Sequence, residues 1–168
     1  MFASQRFQHL IFAGSLVSTS IYLASTVCFA AAVDYAGSAK DRQALQRTGD
    51  AIRSAFARGD VDEIMKYHHP DVIKALSSTR YLVGSDAVRK DLLRTLSAFL
   101  LHFDENRTEN ILFQGDTAVE ESFFAIRGTP KAAGQPFLIK GRAMVVYVRY
   151  SKSPTGWASI REIIQPAQ

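Results

Sequence analysis

Residues 41–72, DRQALQRTGDAIRSAFARGDVDEIMKYHHPDV, decide how the rest of the chain is interpreted. Apolar residues recur at steps of three and four between Ala44 and Phe56, so the segment from Asp41 is predicted to be a helix with one apolar face. Gly59 follows directly after Arg58 and is a typical residue at the end of a helix. The stretch therefore begins with one amphipathic helix.

A second, short helix is predicted from Val61 to about Tyr67. Asp60 precedes it and Glu63 lies three residues further on, which is the spacing of a capping box. The helix must end before Pro70, because the residue preceding a proline is disfavoured in helical conformation. The order is therefore helix, Gly-Asp turn and helix, followed by a His-His-Pro-Asp step.

The chain after this step changes from helical to extended periodicity. Residues 72–82 are ambiguous, and the turn at 84–86 opens a third helix from Ala87 to about Phe99. Residues 102–105 predict a polar loop. Four strands rich in Val, Ile, Phe, Tyr and Thr follow, separated by Gly, Pro, Asp and Ser turns. They are Arg107–Phe113, Thr117–Arg127, Pro136–Tyr150 and Trp157–Ile164.

Helices followed by consecutive strands with short turns predict an α+β domain with an antiparallel meander. The third of these strands has apolar residues on both faces, since Val145 and Tyr147 alternate with Met144 and Val146. A strand that is apolar on both sides is usually covered on both sides. One cover would be the helices, and we predict that the other is a second subunit, giving a homodimer through the sheet face.

The amino end resembles an export signal. Residues 1–9 contain one cation, residues 10–30 contain no charge, and small alanines follow. This order is typical of a secretory signal peptide, with cleavage after Ala30 or Ala32. We therefore predict a signal peptide at 1–32, a flexible leader at 33–40, and a periplasmic or secreted protein without stable membrane association. The alternative is an uncleaved membrane anchor, because the charge-free run is long enough to span a bilayer.

Composition excludes some functions. Cys28 is the only cysteine and lies within the predicted signal, so thiol chemistry, disulfides and cysteine-bound metals are not expected in the mature protein. The formal net charge of the whole chain is +4, a weak basic bias that does not indicate a nucleic-acid partner. Adjacent His68 and His69 are weak evidence for a metal, because neighbouring side chains do not easily reach one ion.

Four segments, taken in order, resemble the nuclear transport factor 2-like superfamily. The block 56–68 is similar to its opening helix, Gly-Asp turn and short helix, and residues 70–72 match its Pro-Asp-Val step. Residues 115–119 resemble its hairpin, and residues 156–163 resemble its closing strand. The SnoaL-like and ketosteroid-isomerase-like branch is the most similar, and the resemblance assigns residues 41–168 to one domain.

The resemblance implies a cone-shaped α+β barrel, in which three N-terminal helices pack against a curved antiparallel sheet around a pocket. Proteins of this superfamily use the pocket as isomerases, cyclases, dehydratases, carriers or assembly modules, so fold does not settle function. A ketosteroid isomerase needs a carboxylate base after the second helix. No acid occurs between Asp71 and Asp86, which argues against steroid isomerase chemistry.

We therefore expect a small, mostly apolar ligand in the pocket, possible acid–base chemistry, and neither a cofactor nor a metal. The alternative is a non-catalytic dimeric interaction or accessory module. Glu120 and Glu121 are adjacent on a strand, so one of them must face inward. The candidate catalytic residues are His68, Glu121 and Arg142, with Glu121 facing inward to pair with Arg142 or with Arg161. The candidate ligand-binding residues are Tyr67, Tyr81, Phe99, Phe123 and Arg161.

Overall fold

The computed structural model describes residues 35–167, which form three helices and six strands. The predicted signal peptide lies outside these residues, as do the first two residues of the predicted leader. The helices are α1 (Ala39–Arg58), α2 (Val61–Met65) and α3 (Ser85–Ala98). The strands are β1 (His68–Ala75), β2 (Tyr81–Val83), β3 (Phe99–Gln114), β4 (Thr117–Pro130), β5 (Phe137–Arg149) and β6 (Trp157–Pro166).

The strands form one sheet in the order β2-β1-β6-β5-β4-β3. β1 pairs with β6 in parallel, whereas every other neighbouring pair is antiparallel. The α+β prediction is confirmed, but the sheet is mixed and open instead of wholly antiparallel. The ambiguous segment at 72–82 supplies the second half of β1 and the first two residues of β2, and the connection through α3 lets β1 run alongside the last strand.

The helix ends follow the predicted capping chemistry. The Asp60 side chain accepts a hydrogen bond from the Glu63 backbone N–H at 2.9 Å, which begins α2 as the capping box predicts. Gly59 has a φ of 70°, a left-handed conformation that ends α1 at little cost for glycine. α1 begins at Ala39, two residues earlier than predicted, because Ser38 caps it by accepting from the Asp41 N–H.

The described end of the predicted leader contacts the domain, and the predicted polar loop is part of a strand. The Tyr35 carbonyl accepts a hydrogen bond from the Phe113 N–H, and Arg42 donates to the carbonyl of Gly37. The residues at 102–105 belong to β3, which follows α3 without a loop. Strand β3 tolerates these polar residues because it lies at the sheet edge, where many of its side chains face solvent.

Two hydrophobic clusters hold the helices on the sheet. The first joins α1, α2, α3 and β1, and the second joins α1 to β3, β4, β5 and β6. The buried members of the first are Ala55, Val61, Ile64, Val72, Val88, Leu92 and Leu96. Those of the second are Ala44, Leu45, Phe113, Ala118, Tyr147 and Trp157. Between the two clusters the helices stand away from the sheet.

Candidate functional site

A cavity of about 710 Å³ lies between the sheet and helices α1 and α3. We call the sheet face that lines it the inner face and the opposite face the outer face. The volume of the cavity is in the range of natural small-molecule sites. The wall is mainly apolar, and its aromatic members are Phe56, Phe99, Phe103, Phe124, Phe137 and Tyr147.

The cavity has an open rim and a closed end. Along β5, the lining residue Ile139 is 44 % exposed at the rim, whereas Tyr147 is only 5 % exposed. His68 and Ser159 also line the cavity and are 4 % and 2 % exposed. Ser159 and His68 are the least exposed polar residues that line the cavity. We call the part of the wall that they form with Tyr147 the closed end.

A carboxyl group and a phenol interact near this closed end. The Tyr147 hydroxyl is hydrogen bonded to the Glu120 carboxyl, and the Thr108 hydroxyl donates to Glu120 Oε1 at 2.9 Å. Burial raises the pKa of Glu120, and the hydrogen bond from Thr108 and the charge of Arg53 only partly offset this effect. Glu120 is therefore poised to exchange a proton closer to neutral pH than an ordinary glutamate.

Tyr147 is held as a neutral donor. Burial raises its pKa well above the ordinary value, and the negative charges of Glu120 and Glu162 act in the same direction. The hydroxyl consequently keeps its proton throughout the neutral range and can donate to a carboxylate or to a ligand.

A buried ion pair links β1 to β6 on the inner face. Lys74 and Glu162 are direct partners in the parallel pairing, and Lys74 Nζ lies 2.5 Å from Glu162 Oε2. The Lys74 side chain is 9 % exposed and the Glu162 side chain 18 %, so neither charge is well solvated. Each charge requires the other, because an unpaired buried ion is costly.

His68 is the first residue of β1 and is fixed in one tautomer. Its Nδ1 lies 2.9 Å from the Ile64 carbonyl oxygen, which can only accept, so Nδ1 carries the proton. Burial lowers the pKa of His68 to about 3, and the nearby Lys74 charge adds to this effect. The ring is therefore neutral at physiological pH, with Nε2 as a hydrogen-bond acceptor.

Ser159 lies opposite His68 in the pairing of β1 with β6. Its backbone N–H donates to the Tyr67 carbonyl at 2.9 Å, but within residues 35–167 its Oγ has no hydrogen-bond partner. A buried hydroxyl without a partner is uncommon and costs about 1–3 kcal/mol. Because Ser159 lies in the cavity wall, a bound ligand could supply the hydrogen bond that its hydroxyl lacks.

The rim carries a second charged cluster, on α3 and the segment before β2. Arg80 and Arg94 both bind the carboxylate of Asp91, and Arg80 also donates to the Thr95 hydroxyl at 3.1 Å. Asp91 is 6 % exposed, whereas the Arg94 side chain is 74 % exposed. Two guanidinium groups on one carboxylate leave an excess positive charge at the rim.

Two of the sequence-predicted site residues line the cavity. His68 contributes to the closed end, and Phe99 lies at the rim, where its ring packs edge-on against Phe137 with centroids 5.2 Å apart. Their roles in catalysis and ligand binding remain predictions.

The expectation that Glu121 faces inward to meet Arg142 is corrected by the strand register. Glu120 pairs with Val145 and lines the cavity, so its neighbour Glu121 faces the outer side, opposite Met144. Arg142 is also on the outer face, where it forms an ion pair with Glu109. The two residues line a shallow outer depression of about 270 Å³, separate from the cavity. A shift of one residue in strand phase accounts for both misplacements.

The other predicted ligand-binding residues are not among those that line the cavity. Tyr67 is buried and donates to Glu63 Oε1 at 3.2 Å, and Tyr81 is 63 % exposed on β2. Phe123 lies on the outer face under the Arg107 guanidinium, 5.6 Å from its ring centre. Arg161 is exposed and donates to the backbone carbonyls of Asp71 and Ile160.

Sequence reasoning missed Lys74, Glu162 and Ser159, and it treated Tyr147 as one of several mainly core aromatic residues, a few of which would form the pocket wall. Lys74 follows Val72 and Ile73 and precedes Ala75 and Leu76, and a lysine among such apolar neighbours was a usable signal, because a buried cation requires a partner. Nothing comparable marks Ser159.

In the part of the chain that the structure describes, no cluster of three or more His, Asp or Glu side chains is arranged to hold a metal ion. No helix in the same range is long and apolar enough to cross a membrane.

Comparisons with known proteins identify the fold. No family model and no curated protein matches the sequence. A scytalone dehydratase-like structure from Novosphingobium aromaticivorans, described as putative in its name, superposes with a TM-score of 0.69 at 14 % identity over 76 % of this chain and 85 % of that one.

Two further solved structures agree with this match. A nuclear transport factor 2-like superfamily protein from Salmonella enterica gives a TM-score of 0.65 at 16 % identity, covering 76 % of this chain and 91 % of the other. A ketosteroid isomerase-like protein from Erwinia carotovora gives 0.62 at 17 % identity, covering 75 % and 95 %. At such identities the likeness establishes the fold alone, and it confirms the resemblance read from the sequence.

Proposed function

We propose that this chain, which has the nuclear transport factor 2-like fold, binds a small, mostly apolar molecule and performs cofactor-free acid–base chemistry on it. The observation that carries the proposal is the closed end of the cavity, where an apolar wall surrounds the hydrogen-bonded pair Glu120 and Tyr147. The reaction class is isomerisation, cyclisation or dehydration, each of which requires a proton to be removed at one position and delivered at another.

Glu120 is the proposed proton carrier. A general acid–base catalyst works best when its pKa lies near the working pH, and burial moves the pKa of Glu120 in that direction. Tyr147 remains protonated and directs its hydroxyl at the carboxyl, which fixes the orientation of the group that takes the proton. The apolar wall excludes water and strengthens both interactions.

The solved structures support the class of chemistry by analogy only. Their names describe a putative scytalone dehydratase and a ketosteroid isomerase-like protein. In this chain the segment between Asp71 and Asp86 carries Lys74 and no acid. The proposed proton carrier therefore comes from β4, at the opposite side of the cavity.

The first experiment identifies the ligand and then follows proton transfer. Protein purified under native conditions is extracted, and any co-purified molecule is identified by mass spectrometry. That molecule is incubated in D₂O with wild type, Glu120→Gln or Glu121→Gln protein. We expect Glu120→Gln to slow deuterium incorporation by at least about 100-fold, and Glu121→Gln, on the outer face, to leave the rate unchanged.

The same measurement separates catalysis from binding. Suppose that the molecule co-purifies equally with wild type and Glu120→Gln and gains no deuterium with either protein. The protein is then a carrier, and the catalytic half of the proposal fails. A chain whose cavity retains no small molecule, and whose melting temperature no apolar compound raises, would favour the accessory-module alternative.

We further propose that the outer face is an interface between two copies of the chain. Leu112, Met144 and Ile163 are exposed there to 45 %, 41 % and 55 %, a larger apolar surface than isolated surface residues explain. Size-exclusion chromatography with light scattering tests this proposal. We expect a dimer for wild type and a monomer for Ile163→Asp, and a wild-type monomer at micromolar concentration would contradict it.

Export is proposed on the amino-terminal sequence. The working protein would begin after Ala30 or Ala32, outside the cytoplasm. Intact-mass measurement of the protein from a secretion-competent host tests this directly. Loss of the first 30 or 32 residues is expected, and a full-length, membrane-bound product would instead support the retained anchor.

A further inference from the structure

Two hydrogen-bonding groups at the closed end have no protein partner on their cavity side. Ser159 Oγ makes no hydrogen bond with any residue between 35 and 167, although the residue is 2 % exposed. His68 donates from Nδ1 to the Ile64 carbonyl, and no hydrogen bond to its Nε2 is formed within the same range. Both residues line the cavity and are direct partners across β1 and β6, so their side chains belong to the same part of the cavity wall.

The donor and acceptor pattern of this pair restricts what can bind between them. Neutral His68 offers only a lone pair at Nε2, so the ligand atom must donate a hydrogen bond to it. The Ser159 hydroxyl can then donate to the same ligand atom. A hydroxyl oxygen meets both requirements at once, whereas a carbonyl or an ether oxygen only accepts and leaves Nε2 unsatisfied.

Charged ligand groups fit the pair poorly. A carboxylate would face the Nε2 lone pair without a proton to share. An ammonium group would lie near Lys74, whose positive charge already acts on His68. Burying either charge without a counter-ion is costly.

We propose that the ligand is an alcohol or a phenol whose hydroxyl group binds between Ser159 and His68 at the closed end of the cavity. This inference rests on the proposed function and names the chemical class of the molecule. It also sets the direction in which the molecule enters, with the hydroxyl leading and the apolar skeleton toward the rim.

The orientation places the ligand's first carbons next to the proposed proton carrier. Ser159 is the direct partner of Tyr147 across β5 and β6, one strand spacing away, about 4.8 Å. Tyr147 in turn is hydrogen bonded to Glu120. The carbons that bear or adjoin the hydroxyl therefore lie nearest Glu120. In a dehydration, the Glu120 carboxylate would take a proton from the adjoining carbon and return it to the departing hydroxyl, so that a carbon–carbon double bond forms and water leaves.

The test uses three probes that share one apolar skeleton: β-naphthol, its methyl ether and the corresponding methyl ketone. Dissociation constants are measured by isothermal titration calorimetry with wild type, Ser159→Ala and His68→Asn. The asparagine retains a donor near the position of Nδ1 and removes Nε2. Ser153→Ala is the matched control, because Ser153 is also buried but donates to the Trp157 carbonyl at 2.6 Å and does not line the cavity.

Wild type is expected to bind the naphthol at least about 10-fold more tightly than the ether or the ketone, the effect of one satisfied buried hydrogen bond. Ser159→Ala and His68→Asn should each reduce this preference to about threefold or less. Ser159→Ala should keep or raise the melting temperature of the free protein, since it removes an unsatisfied hydroxyl. Ser153→Ala should lower the melting temperature and keep the preference.

Three results would overturn the inference, and they differ in what else they imply. Equal affinity for all three probes means that the cavity binds apolar molecules while water satisfies Ser159 and His68, so the proposed function survives and the hydroxyl site does not. No binding of any probe removes both. A melting temperature that falls in Ser159→Ala with the naphthol preference intact would make Ser159 purely structural.

Discussion

The inner and outer faces of the sheet are built from alternate residues of the same strands, yet their charged groups behave differently. On the inner face, Lys74 and Glu162 form a pair whose two side chains are mostly buried, and burial raises the pKa of Glu120. On the outer face, Arg142 pairs with Glu109, but the Arg142 side chain is 62 % exposed. Similar residue types and similar contacts are therefore embedded in different solvent environments.

The difference between the two faces shows that the position of a charged side chain, and not its type alone, determines its protonation and pairing. Glu120 and Glu121 are chain neighbours with the same functional group, but Glu120 lines the cavity, where burial raises its pKa, whereas Glu121 faces the outer side. A single layer of β-sheet separates the low-dielectric cavity on the inner face from the outer face. Tests of the molecule should therefore compare matched substitutions on the two faces.

The largest expected effect follows from breaking the inner ion pair. Lys74→Met leaves Glu162 poorly solvated and without its cation, so the free energy of unfolding at pH 7 should fall by about 3 kcal/mol. Chemical denaturation with urea measures the loss. The double variant Lys74→Met with Glu162→Leu should recover most of the stability, since replacing both charges by apolar groups removes the unpaired ion. A double variant as unstable as the single one would show that packing, not charge, holds this site.

An intermediate effect is expected from acid. The pKa of folded His68 is about 3, below the ordinary value of 6.5, so its contribution to stability is complete above pH 6.5 and is lost as the pH falls toward 3. Between pH 6.5 and pH 5 the unfolded chain gains a proton that the folded protein excludes, which lowers stability by about 2 kcal/mol.

His68→Asn isolates this effect because it cannot take up the proton. Glu120 responds to acid in the opposite direction, since its raised pKa favours the protonated folded form, but it is present in both proteins. The difference between the wild-type and His68→Asn curves of unfolding free energy against pH should therefore narrow as the pH falls from 6.5 to 5. Parallel curves would show that His68 titrates normally and is not held in the closed end.

The smallest effect is expected on the outer face. Arg142→Ala removes a solvent-exposed ion pair, so the free energy of unfolding of the monomer should change by less than about 0.5 kcal/mol. Urea denaturation at low protein concentration measures it. A loss comparable with that of Lys74→Met in the monomeric Ile163→Asp background would mean that solvent does not screen the Arg142–Glu109 pair.

Local patterns predicted the helices and the meander well. The periodicity before Phe56, Gly59 and the Asp60–Glu63 capping box each act within a few residues, so the sequence contains their whole cause. The segment that holds β1 and β2 stayed ambiguous because β1 is completed by pairing with β6, near the other end of the chain, and β2 is a three-residue strand that pairs with β1. The parallel contact of Lys74 with Glu162 depends on α3 and the whole meander being in place.

The site was less predictable because strand phase changes within the strands. β6 has a register shift opposite Val146 and Tyr147, so Ser159 and Glu162 both face the cavity although three positions separate them. A strict alternation of faces would send one of them outward. The prediction that Glu121 faces inward failed for the same reason. With two adjacent glutamates, the sequence does not show which of them lies on the inner face.

Tyr147 belongs to the buried cluster with Trp157 and also forms the closed end of the cavity. A molecule that reaches this end thus adds contacts to the folding core itself. Occupancy should then slow amide hydrogen exchange in β5 and β6, beyond the residues that the molecule touches. In cellular terms, the supply of ligand would set the lifetime of the protein against proteases.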